Sequence, residues 1–94
     1  MSVCGAQPVV DYAGALTRVA ELTARQLDVF ECLGRGMSNR QIAAGLGISE
    51  YTVKVHIGKI IDVLGLDSRL QIGIVAYIHM TGCSCGVAEH GAVV

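Results

Sequence analysis

Residues 38–64 read SNRQIAAGLGISEYTVKVHIGKIIDVL, and the architecture follows from them. Ser38 and Gln41 have the spacing of a capping box: the serine oxygen accepts from a backbone N–H three residues on, and the glutamine reaches back. Ile42, Ala43 and Leu46 then share one side of a short helix. Leu46-Gly47-Ile48 makes a tight turn, and Ser49 caps a second helix that buries Val53, Ile57, Ile60, Ile61 and Leu64. Two helices joined by a glycine-containing turn of about three to four residues form a helix-turn-helix. Small side chains at Ala43 and Ala44 let the pair approach closely.

The same devices recur on either side. Thr23 and Gln26 form a second capping box, with Leu22 and Leu27 placed as a hydrophobic staple. The helix that follows buries Leu27, Phe30 and Leu33 and stops between Gly34 and Gly36. Beyond the helix-turn-helix, Gly65 ends one helix, and Asp67 or Ser68 caps a last one over 69–80, carrying Leu70, Ile72, Ile74, Val75 and Ile78. Nowhere is there sustained period-2 alternation, so the chain is all-α. Residues 1–21 read as a mostly disordered leader in which 12–20 can form a short helix, capped by Asp11, with Leu16, Val19 and Ala20 on one side. Residues 22–80 form the folded domain and 81–94 a flexible tail.

The last helix contains LQIGIVAYIHM, without a charged side chain. A surface helix of a monomer carries a polar face. Its apolar surface therefore predicts association, most simply with a second copy through Leu70, Ile74, Tyr77 and Ile78. The alternative cover is the 12–20 segment or the tail.

Composition bounds the function. The chain has 94 residues, 52% of them hydrophobic and 16% charged, which means one small domain with a packed core and excludes a disordered chain. With three Tyr, one Phe and no Trp, that core is aliphatic. No apolar run approaches the ~18 residues of a membrane span, the N-terminus lacks the basic region of a signal peptide, and Ser2 excludes myristoylation. Cys4, Cys32, Cys83 and Cys85 lack a secretory context, so the thiols read as reduced and the protein as cytoplasmic. Cys83 and Cys85, with His79 and His90 nearby, can be imagined on a soft metal or as a redox pair. One ligand pair with scattered histidines falls short of metal-site spacing, and no metal or cofactor is assigned. No triad, metal motif or phosphate loop points to an enzyme.

Charge placement points to nucleic acid instead. Formal net charge is −1, yet residues 35–59 hold Arg35, Arg40, Lys54 and Lys59 against Glu50 alone, or +3, leaving −4 elsewhere. The exposed side of the second helix of the motif offers Glu50, Tyr51, Lys54, Val55 and Gly58, spaced to line a groove. A basic helix pair on a near-neutral chain gives modest, salt-sensitive DNA affinity.

Residues 22–78 resemble the LuxR-type DNA-binding domain. The resemblance rests on Leu22-Thr23 with Arg25, and on Gly36-Met-Ser-Asn39 followed by Ile42-Ala43. It continues in Ile48-Ser-Glu-Tyr-Thr-Val-Lys54 with His56, and in Leu64-Gly65 with Ser68-Arg69. It implies a four-helix bundle whose third helix enters the major groove, and a regulator of transcription that dimerises through its last helix. Lys54 and Val55 match base-reading positions, and Gly58 a third that holds a basic residue in some members. Thr52 and the Ser38–Asn39 helix start match places that touch phosphate, while His56 matches a packing position. The full set of expected DNA contacts is Ser38, Asn39, Arg40, Ser49, Glu50, Tyr51, Thr52, Lys54, Val55, Gly58 and Lys59.

Three residues depart from the family pattern. Gln26 stands where Glu is typical, Lys59 replaces a common Asn and Val63 a common Lys, which bears on affinity and target more than on fold. With 21 residues before the match, the chain resembles stand-alone members lacking a receiver or sensor domain. The alternative function is an interaction protein that keeps the fold and binds another regulator through its apolar last helix.

Overall fold

The computed structural model describes residues 11–82, which form five α-helices and one 3₁₀ turn. They are α1 (Tyr12–Arg18), α2 (Ala24–Gly34), α3 (Asn39–Leu46), α4 (Glu50–Leu64) and α5 (Arg69–Thr81). The 3₁₀ turn, Val19–Glu21, joins α1 to α2. Residues 1–10 of the expected leader and 83–94 of the expected tail lie outside the described residues, while Thr81, expected in the tail, is the last residue of α5.

Local chemistry sets where the helices start. Both capping boxes close: the Thr23 hydroxyl accepts from Gln26 N at 3.2 Å and Gln26 Oε1 from Thr23 N at 3.0 Å. The Ser38–Gln41 pair repeats this at 3.1 and 2.8 Å. Ser49 caps α4 by accepting from Thr52 N at 3.0 Å. At α5 the cap is Ser68 and not Asp67, whose backbone N–H donates to Gln71 Oε1 at 2.7 Å. The turn of the helix-turn-helix needs a left-handed residue, and Gly47 supplies it at φ 70°. Ile48 N then returns to the Ala43 carbonyl at 3.1 Å, which fixes the angle at which α4 leaves α3.

Phe30, Val29, Ile42, Val53, Ile60, Leu64, Ile72 and Val75 are fully buried and make an aliphatic core with one aromatic at its centre. Helix α2 runs through the middle and packs against α3, α4 and most extensively α5. That last contact is close. A Cβ built on Gly34 would stand 2.8 Å from the Ala76 Cβ and 2.9 Å from the Met80 sulfur.

The expectation of four helices is corrected to five. The fifth is α1, the short helix expected over 12–20 with Asp11 as its cap; it belongs to the bundle, with Ala15 and Val19 buried in the common core. Arg18 Nη1 donates to the Leu64 carbonyl at 3.1 Å, bringing a cation to the negative end of α4. Ala20, expected beside Val19 on the buried side, is exposed. The chain tightens there to a 3₁₀ turn with about 3.0 residues per turn, which rotates Ala20 outward. Leu27 and Ile61 are half-buried against the core, while Val29 and Cys32 take deeper positions on α2. No described helix is long and apolar enough to cross a membrane.

Candidate nucleic-acid interface

The inner side of α4 is locked by Val53, Ile57, Ile60 and Leu64, each 8% exposed or less. Helical geometry then forces the intervening residues outward. Glu50, Tyr51, Lys54, Val55, Gly58 and Lys59 are all exposed, with Tyr51 at 74% and Val55 at 39%. A large aromatic and a β-branched side chain left bare on a rigid helix are not explained by packing. Thr52 and His56 are half-buried on the flanks.

Among the described residues the one ion pair is Arg25 with Asp28, 3.7 Å apart at the surface. Arg35, Arg40, Lys54 and Lys59 are thus without a carboxylate partner there, and their charge is available to an external anion. The site holds hydroxyl donors as well. The Ser49 and Thr52 hydroxyl oxygens lie 2.9 Å apart. One of their two protons closes that bond, which leaves the other for an outside acceptor. At the start of α3, Ser38 is engaged as cap and Arg40 is exposed. The half-buried Asn39 accepts from Arg69 Nη1 through Oδ1, while Arg69 Nη2 donates to the Met37 carbonyl at 2.8 Å. Sequence reasoning missed this link, because it joins residues thirty positions apart. Gly58 faces open space: a Cβ there would meet nothing within 4 Å.

A second surface lies on α5. Ile72, Val75 and Ala76 point into the core, and Leu70, Ile74, Tyr77 and Met80 are exposed, Leu70 at 73% and Tyr77 at 61%. Ile78 is half-buried. Leu70, Ile74, Tyr77 and Ile78, with Arg69 at the end, form one wall of an open, largely apolar groove of about 580 Å³, whose other wall is Leu33, Gly34, Gly36 and Met37. Met80 was not foreseen, although its spacing from Tyr77 places it on the same stripe.

His79 packs edge-on against Phe30, with ring centroids 5.6 Å apart. Cys83, Cys85 and His90 lie outside the described residues. Cys32 is buried, and that burial pushes its thiol pKa up, keeping it protonated. Among the described residues no three metal-ligating side chains cluster.

Comparison with known proteins returns a consistent set. The family profile described as bacterial regulatory proteins, luxR family, matches residues 20–76. The chain is 53% identical over 49 residues to the nitrate/nitrite response regulator protein NarP of Escherichia coli (strain K12), covering 52% of this chain and 23% of that protein. It is 46% identical over 50 residues to the glycerol metabolism activator of Pseudomonas putida, covering 53% of this chain and 23% of that protein. With the uncharacterized transcriptional regulatory protein YhcZ of Bacillus subtilis (strain 168) it shares 41% identity over 56 residues, 60% of this chain and 26% of that protein. The chain thus spans about a quarter of the length of these curated relatives. No solved structure matches significantly.

Proposed function

Since the chain belongs to the luxR family of bacterial regulatory proteins, DNA-binding regulators of transcription and not enzymes, we propose how it reads DNA: as a homodimer that lays α4 of each copy in the major groove. The observation that carries this is Lys54 beside Val55 on the outward side of α4. One is a cation without a carboxylate partner among the described residues, the other a bare apolar side chain, and the helix beneath them is fixed by four buried aliphatics. A lysine suits the acceptors on a guanine edge, and a valine suits a thymine methyl. Tyr51, Glu50 and Gly58 lie on the same exposed side. Ser38, Asn39, Arg40, Ser49, Thr52 and Lys59 supply phosphate contacts that set the register. Two copies pair through Leu70, Ile74, Tyr77 and Ile78 of α5, four uncharged side chains that can meet their counterparts without repulsion. Such a regulator acts in the cytoplasm, where bacterial DNA is.

The test is selection from a random duplex library at roughly physiological salt, where non-specific contacts are suppressed. A two-fold-related motif should be enriched. Folded protein that enriches nothing would overturn the reading. The second reading, a protein that binds another regulator through α5, is favoured by the groove between α5 and Met37. It predicts a hetero-complex with no selected DNA motif.

A further inference from the structure

Arg69 is the first residue of α5, where a cation opposes the positive end of the helix dipole. Arg69 is exposed, but its guanidinium is engaged within the chain. It reaches across to the start of α3 and donates from Nη2 to the Met37 carbonyl at 2.8 Å and from Nη1 to Asn39 Oδ1. These acceptors flank Ser38, the cap of α3. A guanidinium carries donors only, so the Asn39 amide must present its oxygen to Arg69 and turn its NH₂ group away. We propose that Arg69 is a positioning residue for DNA binding, holding the Asn39 amide so that its N–H donors face a backbone phosphate at the start of α3. This rests on the DNA-binding reading above, which makes Asn39 a phosphate contact.

The geometry of the fork matters more than the charge. Lysine keeps the charge but is a point donor and cannot span both acceptors in a fixed plane. The experiment titrates a selected duplex with the intact chain and with Arg69→Lys, Asn39→Ala and the double variant, by fluorescence anisotropy, alongside thermal unfolding of each. Each single variant should bind about tenfold more weakly, the scale of a hydrogen bond to a charged group. The double variant should bind no worse than either single one, and the salt slope of Arg69→Lys should equal that of the unaltered chain. Unchanged binding by Arg69→Lys would overturn the proposal, as would losses that multiply in the double variant.

Asn39→Asp provides a test should Arg69→Lys fold poorly. A carboxylate pairs with Arg69 and suits a helix start, so stability is kept. Its second oxygen then faces phosphate, and affinity should fall further than in Asn39→Ala. Undiminished binding by Asn39→Asp would also overturn the proposal. If the folded, unaltered chain binds no duplex, the DNA-binding reading fails and takes this inference with it. If it binds and the losses multiply, the inference alone is lost.

Discussion

Helices α4 and α5 are alike inside and unlike outside. Each puts a row of aliphatic side chains into one core: Val53, Ile57, Ile60 and Leu64 from α4, and Ile72, Val75 and Ala76 from α5. On the outer side α4 shows Lys54, Lys59 and Glu50 around Tyr51 and Val55, while α5 shows Leu70, Ile74, Tyr77 and Met80. The inward residues settle only how each helix is held. What each helix can meet is decided by residues that contribute little to folding. A charged face over a rigid backbone suits a polyanion. An uncharged apolar face beside a groove suits another protein surface, because water gains by its removal. Two chemically different outer faces thus sit on one core.

The sharpest way to break this division is to put a charge on the wrong face. Tyr77→Glu should convert the proposed dimer to monomer in sedimentation velocity while leaving helix content unchanged, since Tyr77 is mostly exposed. Losing the second half-site should cost about a hundredfold or more in affinity for a two-fold motif. An unaltered sedimentation coefficient would remove α5 from the association surface.

Next in size is Lys54→Ala. It should cost about 1–3 kcal/mol per half-site and relax selectivity at one base pair, with the thermal midpoint unmoved. A change that lowered affinity equally for all sequences would place Lys54 on phosphate and not on a base. If Lys54→Ala also shifted the oligomeric state, the two faces would not be separable, and the division between α4 and α5 would fail.

Much of this division could be read from the sequence, and the reason is local. Capping boxes at Thr23 and Ser38, the serine cap at Ser49 and glycines at 47 and 65 act over a few residues, so they mark helix ends without knowledge of the fold. With those ends fixed, the 3.6-residue period alone turns Lys54 outward between Val53 and Ile57. The short helix α1 and its Asp11 cap are legible in the same way, although Gly14 and Thr17 dilute the pattern. The missed features are long-range, beginning with where α1 docks. Its place in the core depends on Ala15 and Val19 packing there and on Arg18 reaching a carbonyl 46 residues on. The link from Arg69 to Asn39 and the second wall of the groove at Gly34 and Met37 arise only when α5 is brought against α2 and the start of α3.

The smallest effects come from one substitution made at two glycines. In an open helix interior Gly→Ala stabilises by about 1 kcal/mol. At Gly58 a Cβ meets nothing within 4 Å, so Gly58→Ala should raise stability by about that amount in chemical denaturation. At Gly34 the same Cβ would stand 2.8 Å from the Ala76 Cβ and 3.1 Å from its backbone carbon, which cannot yield as a flexible side-chain end would. Gly34→Ala should therefore lower stability, by about 1–3 kcal/mol, as overpacking forces α2 and α5 apart. The sign reverses because one glycine serves the core and the other serves the outer face. The DNA readout bears on the same pair. Gly58→Ala is expected to leave affinity for a selected site within about twofold, since a methyl group reaches less far than Lys54 and an exposed substitution that meets nothing changes free energies by about 0.5 kcal/mol or less. A larger fall in affinity, coupled to the rise in stability, would mean that the backbone of α4 approaches the base edges at Gly58, with the missing side chain making room.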